Sequence, residues 1–282
     1  MEILDDFSIR SQNKGITTLN DEEFLLYRQM DEHYIINVYN RDSMEPKEVI
    51  RLPGTDAQLM TGCNVSNCVY ICLRQGDSWD LEVLRISRDA DHKFNVSPWL
   101  KDVTNMSVAA NGSLITLSRG TGGNPDVVRI HNVDGSLQYE IKLPSDICPF
   151  DYRNVILKSN GNLVLAYIAV ADDPISLVEV DMSGSVVRQF QSSFKPCGLI
   201  NIFADVADEN DRVMLASPFE GFQLLDSEFN LLGVYSLSGY EGKTLLVMDL
   251  HYDRNRNEIV CLHYDTSRHL TNFLTMFRFT ED

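Results

Sequence analysis

Six histidines are the first candidates for acid–base or metal chemistry: His33, His92, His131, His251, His263 and His269. Imidazole titrates near neutrality and is a common metal ligand, so closely paired histidines would point to either role. No His-x-His pair occurs, and the loose group His251, His263 and His269 reads as strand-edge or surface histidine. Cys63-x4-Cys68-x3-Cys72 imitates metal spacing, but no histidine pair accompanies it. Strand alternation would set Cys68 and Cys72 on one face, so no metal is expected there. Asp5-Asp6, Asp172-Asp173 and Asp205/Asp208 read as solvated loop charge. Residues 208–211 read as a turn, without the glycine and terminal glutamate of a calcium loop. Residues 120–123 are glycine-rich, but no Lys-Ser/Thr follows to make a phosphate loop, and no Gly-x-Ser-x-Gly elbow occurs. The chain is therefore expected to be no enzyme and to use no metal or cofactor.

Charge restricts partners further. The 282 residues carry 24 Lys+Arg against 41 Asp+Glu, a formal net charge of −17. Nucleic-acid affinity draws on a basic surface that releases counterions from phosphates, so DNA is excluded as a partner and RNA is disfavoured. An acidic chain suits a basic protein or peptide partner. Six cysteines, Cys63, Cys68, Cys72, Cys148, Cys197 and Cys261, sit mostly in apolar strand patterns such as Val69–Cys72. Thiols so placed act as small hydrophobes and suit a reducing compartment. Met1–Asp6 has no basic or apolar leader region, and no stretch reaches transmembrane length. Four matches to the glycosylation pattern, at Asn64, Asn95, Asn105 and Asn111, are read as chance. A cytoplasmic, monomeric domain without membrane contact is expected.

What would position any binding residues is a repeat. In residues 108–143, Asn111-Gly112 precedes an apolar strand, a second strand begins at Asp126, and Asn132–Gly135 turns into the alternating strand Leu137–Ile141. Such dipeptides supply the positive φ that tight hairpins require. Asn160-Gly161 and Asp181–Gly184 repeat the order, and residues 210–237 carry a degenerate copy. The first apolar residue after each first turn is Phe24, Val69, Leu114, Leu163, Val213 and Ile259, recurring every 45 to 50 residues. Four strand signals per period predict an all-β six-bladed β-propeller with four antiparallel strands per blade. One domain is expected over 1–282, with blades near 13–53, 54–99, 100–143, 144–191, 192–237 and 238–282. Residues 1–12 are expected to join the last blade and close the ring.

The beat of Asn/Asp-Gly, apolar strand, Val-x-Val-x-Asp-x-x-Gly and fourth strand resembles the NHL-type propeller, well in 111–141 and 160–190 and partly in 210–237. That resemblance implies a substrate-recognition module like the C-terminal domain of tripartite-motif ubiquitin ligases. Their zinc framework is absent from this sequence, so no ligase chemistry is expected in it. NHL propellers that bind RNA carry a basic face, which this composition does not advertise.

Propellers bind partners on loops that the rigid ring positions. The loops joining second to third strands are expected to present Tyr27, Arg28, Trp79, Arg119, Asp126, Asp172, Asp173, Phe219, Glu220, Arg268 and His269. The inter-blade loops are expected to add Trp99, Phe150 and Tyr240. Aromatics and arginine are common interface anchors. The leading expectation is thus a protein- or peptide-binding module. The alternatives are a metal-dependent axial-site enzyme of lactonase or hydrolase type, which needs carboxylates or histidines converging on the ring axis, and an RNA-binding propeller, which needs a contiguous basic face.

Overall fold

A computed structural model describes residues 2–9, 14–30, 33–53, 56–74, 81–120, 124–144, 151–168, 173–194, 203–206, 210–217, 221–235, 245–253, 255–265 and 272–278. Every regular element among them is a β-strand. After β1 (Glu2–Ile9), blade 1 comprises β2 (Gly15–Asn20), β3 (Glu23–Met30), β4 (His33–Asn40) and β5 (Pro46–Pro53). Blade 2 comprises β6 (Asp56–Cys63), β7 (Cys68–Arg74), β8 (Leu81–Arg88) and β9 (Phe94–Val103). Blade 3 has β10 (Asn105–Val108), β11 (Leu114–Ser118), β12 (Val127–His131) and β13 (Leu137–Lys142). Blade 4 has β14 (Asp151–Leu157), β15 (Leu163–Ile168), β16 (Ser176–Val180) and β17 (Val186–Gln191). Blade 5 has β18 (Phe203–Val206), β19 (Val213–Ser217), β20 (Gly221–Leu225) and β21 (Leu231–Tyr235). Blade 6 has β22 (Leu245–Asp253), β23 (Glu258–Asp265) and β24 (Asn272–Arg278), and β1 pairs antiparallel with β24. The chain is a six-bladed β-propeller of antiparallel sheets.

Why the second strand of each blade is apolar throughout follows from this ring. In β7 all of Cys68, Val69, Tyr70, Ile71, Cys72 and Leu73 are buried. Successive side chains of a strand point to opposite faces, so a strand with a neighbour on each side buries both sets. Val69, Ile71 and Leu73 pack toward blade 1, while Cys68, Tyr70 and Cys72 pack toward blade 3. The pattern continues around the ring, giving one apolar cluster per junction between blades. Outer strands keep only one buried set, as in β5, where Ile50 and Leu52 are buried while Val49 and Arg51 are exposed.

The fourth strand of blade 2 runs to Val103, past the boundary expected at residue 99. Leu84 pairs with Pro98 and Val83 with Leu100, which makes Trp99 the extra residue of a bulge. Bulges re-aim side chains. Trp99 is therefore a half-buried strand residue and not part of an inter-blade loop. Its ring carries the Arg85 guanidinium 5.0 Å from its centroid and lies against the Gly135 turn of blade 3.

Candidate functional site: the axial cavity and its mouth

The first strands of the blades surround the axis, and their register aligns equivalent positions. Gly15, Leu59, Asn105, Asn154 and Asp249 each pair with the residue three beyond the apolar anchor of the second strand, namely Tyr27, Cys72, Leu117, Ala166 and Leu262. Two positions further along lie Thr17, Thr61, Ser107, Ile156 and His251. A cavity of about 360 Å³ occupies this space, lined by Leu59, Thr61, Ser107, Asn154, Asp249 and His251 among others. One-residue bulges immediately precede Leu59, Asn154 and Asp249.

Asp249 and His251 are held to blade 1. Asp249 Oδ2 accepts the Ile16 N–H at 2.8 Å, and Oδ1 accepts the Leu250 N–H at 2.8 Å. The approach depends on Gly15, because a β-carbon there would stand 2.8 Å from Asp249 Oδ2 and 2.0 Å from the Tyr27 ring. His251 Nε2 lies 2.7 Å from Thr18 Oγ1. On the opposite side of the cavity, Ser107 Oγ–H donates to the Val155 carbonyl and ties blade 3 to blade 4. The axis is thus lined with amide, hydroxyl, imidazole and carboxylate groups, several of which join neighbouring blades. Among the described residues no group of three or more His, Cys, Asp or Glu side chains is placed to hold a metal ion.

Ala109, Ala110, Tyr252 and Asn255 line both this cavity and a wider one of about 810 Å³. The wider cavity is formed on the face of the tight hairpin turns, by Asn111, Ser159, Gly161 and Asp211 together with Ile130, Gln138, Tyr139, Leu157, Lys158 and Met182. Its charged residues are engaged internally. Lys158 is 4% exposed and donates to Glu179 Oε2 at 3.1 Å and to the Ser227 carbonyl at 2.7 Å. Burial acts to raise the Glu179 carboxyl, but the Asn162 amide, Lys158 and Arg188 outweigh it and hold it below the ordinary carboxylate range. Asp211 accepts the Ser159 N–H and hydroxyl at 2.7 and 2.6 Å. The exposed part of the wall sets the apolar Tyr139, 50% exposed, and Met182, 36% exposed, among the polar Asn111, Gln138, Ser159 and Asn255.

The residues expected to form a binding face are distributed differently. Tyr27 is buried within β3, against Gly15 and in the apolar cluster between blades 1 and 2, and is not a loop residue. Arg28 is half-buried in the same strand. Asp126 accepts the Gly120 N–H at 2.8 Å and caps its own loop. Arg119 is exposed and Asp173 half-buried. Trp79, Phe150, Asp172, Phe219, Glu220, Tyr240, Arg268 and His269 lie outside the described residues. Asn105, Asn154 and Asp249 were missed because no motif surrounds them. Their signal is positional: an Asn or Asp nine or ten residues before an apolar anchor, visible once Leu114, Leu163 and Ile259 are aligned.

Among the described residues no helix is long and apolar enough to cross a membrane. No family model matches the chain, and no curated protein sequence matches it. Solved structures share the fold, among them two of low sequence identity. A protein of unknown function from Bacteroides caccae is 12% identical, with a TM-score of 0.62 over 88% of this chain and 85% of that one. A protein from Lactobacillus plantarum is 10% identical, with a TM-score of 0.53 over 91% of this chain and 82% of that one.

Proposed function

We propose that this propeller is a non-enzymatic binding module for a protein or peptide segment, docked at the mouth of the axial cavity. The observation that carries the reading is the pairing of exposed Tyr139 and Met182 on the wall of one cavity whose ionic groups are already engaged. Interface cores combine aromatic and Met side chains with few free charges, and apolar clusters beside a concavity are typical docking sites. Val186 and Val187 of the adjacent β17 are exposed as well, extending apolar surface near Met182. The net charge of −17 favours a segment carrying Lys or Arg outside its apolar anchors. On the NHL-type resemblance, the biological form of this role is substrate recognition for a ubiquitin ligase.

The engagement of Asp249 by two backbone N–H groups and of His251 by Thr18 favours a structural part for both over an axial catalytic one. The test is binding of fluorescent peptides from a library that varies Lys/Arg content and aromatic anchors. A Tyr139→Ala/Met182→Ser variant should lose affinity at least tenfold. A Trp79→Ala/Phe219→Ala/Asp172→Lys variant, at positions the sequence assigns to the loops between second and third strands, should keep it. Loss only in the second variant would move the site to those positions. Hydrolysis of lactones or esters without peptide binding, abolished by Asp249→Asn, would replace this reading with the enzymatic one, and salt-dependent RNA binding would replace it with the third.

A further inference from the structure

Cys63 closes β6 and Cys68 opens β7, with only the turn 64–67 between them. The two are direct register partners. Partners in an antiparallel pair project to the same face with Cα atoms about 4.5–5.5 Å apart. That spacing falls within the roughly 4.4–6.8 Å that a disulfide spans. The two thiols are close enough to shift one another in opposite directions, while Cys63 Sγ donates to the Gly112 carbonyl at 3.6 Å. We propose that Cys63 and Cys68 are a modification site, a dithiol that closes reversibly into a cross-strand disulfide on exchange with a low-molecular-weight disulfide.

The surroundings are built for a thiolate at Cys68. Ser66 Oγ lies 3.0 Å from its sulfur. The Tyr70 hydroxyl is buried, makes no hydrogen bond among the described residues, and lies close enough to Cys68 to favour its thiolate. The Arg85 guanidinium reaches the same sulfur while stacked on Trp99. Foremost the hydrogen bond from Cys63, and with it Ser66, Arg85 and Tyr70, outweigh burial and pull Cys68 down to about 5. Cys63 is pushed the other way and keeps its proton. Cys63 lines the axial cavity beside Gly62 and Asn64, so a small reagent approaches the pair from that side, with Cys68 buried behind it until the 64–67 turn opens.

The chemistry balances without a metal or cofactor. Cys68 thiolate attacks one sulfur of the reagent RS–SR, forming a mixed disulfide and releasing RS⁻. Cys63 then attacks the Cys68 sulfur, its proton passing to the second departing RS⁻. One S–S bond forms in the protein, one breaks in the reagent, and two electrons pass from the dithiol to the reagent. Two other buried thiols provide an internal contrast. Cys72 shares the face of Cys68 but has only the Val103 carbonyl at 4.0 Å, and burial pushes it up to about 12. Cys261 is fully buried beside His263, and burial likewise raises it.

The test uses the folded full chain with oxidised glutathione, acid quenching, alkylation under denaturation and peptide mapping. The expected result is a 63–68 bridge, reversed by dithiothreitol, while Cys72 and Cys261 stay alkylatable. Cys63→Ser should trap glutathione on Cys68, and Cys68→Ser should abolish both products. The first step should hold its rate from pH 8 to pH 6, where an ordinary thiol loses roughly tenfold per unit. A second probe needs no variant: phenylarsine oxide, which requires two thiols in contact, should add once at this pair in the wild type. Complete alkylation of Cys63 and Cys68 after oxidant treatment, a glutathione adduct persisting on wild-type Cys68, or no arsenical adduct would each overturn the proposal.

Discussion

The junction between blades 6 and 1 and the junction between blades 3 and 4 solve the same packing problem with different chemistry. Between blades 3 and 4 the contact is an apolar cluster that includes Ile115, Leu117, Val155 and Leu165, bordered by turns that use glycine at positive φ. Between blades 6 and 1 buried polar groups supplement the apolar cluster. Arg41, from the turn after β4, places its guanidinium against Asp253 and Glu258 of blade 6, all three nearly inaccessible to solvent. Asp249 and His251 add their bonds to Ile16 and Thr18. The junction that joins distant ends of the chain is therefore tied by geometry-demanding polar contacts. The junction between sequence neighbours has the Ser107–Val155 hydrogen bond at its axial end and otherwise relies on burial and turn shape.

The largest effect should come from breaking the polar junction. Arg41→Met leaves two carboxylates buried without their cation and should lower unfolding stability by about 3–5 kcal/mol. Urea denaturation would measure it. Replacing all three groups by apolar residues, Arg41→Met/Asp253→Leu/Glu258→Leu, should recover most of the loss, because the desolvation cost then disappears with the charges. If Arg41→Met is silent, the triad contributes nothing and the contrast between the junctions fails.

Acid should next weaken the other face of blade 6, where His263 lies on the side of Ile259 and Cys261, toward blade 5. His263 in β23 is buried, and burial pushes it from 6.5 down to about 4. The unfolded chain therefore binds a proton between pH 6.5 and pH 4 that the folded chain does not. Stability from this group is complete above pH 6.5 and falls as pH drops toward 4, by at most about 3 kcal/mol. A His263→Leu variant should lose that component of the acid slope. Hydrogen exchange at pH 5 should show β22–β24 opening more readily in the wild type than in His263→Leu, and equal protection in the two proteins would contradict this role for the buried imidazole.

A smaller loss should come from the apolar side of the comparison. Gly184 holds φ +85, and a β-carbon there would stand 2.4 Å from the Lys142 carbonyl of blade 3. Gly184→Ala should cost roughly 2–3 kcal/mol through left-handed strain and displacement of that neighbouring strand. Its effect on exchange should be confined to blades 3 and 4.

The same contrast explains what could be read from the residues alone. Blades 3 and 4 announced themselves because Gly112, Gly135, Gly161 and Gly184 mark their turns. The other blades make turns of the same kind with Met44, Asn67, His92, Asp211, Phe229 and Asn257 at positive φ, so their motifs were faint while the apolar anchors kept the period. The fold was legible because burial on two faces is a local pattern. The axial groups were not, since Asp249 meets Ile16 across 233 positions and Arg41 meets Asp253 across 212. No spacing rule within one blade encodes such partners. Tyr27 and Trp99 lie in segments that the repeat spacing reads as loops, whereas strand pairing and a bulge place them in packing roles.

The smallest expected effects compare turn residues where nothing else changes. Gly161 holds φ +87 with open space around its α-carbon, so Gly161→Ala carries only the left-handed penalty, about 1 kcal/mol. His92 is the converse case: an exposed non-glycine residue at φ 62 in the turn before β9. Its main-chain carbonyl accepts Arg88 at 2.6 Å and its N–H bonds the Asp89 carbonyl at 3.0 Å, contacts that a glycine retains. His92→Gly relieves strain of about 1–2 kcal/mol and gives back roughly 0.5–1 kcal/mol in chain entropy. A net gain below about 1 kcal/mol should follow, read as a small rise in Tm. Opposite signs for the two substitutions would establish that one turn geometry is used in both blades, by glycine in one and under strain in the other. A loss in both would mean that the His92 side chain stabilises blade 2 by more than its backbone strain costs.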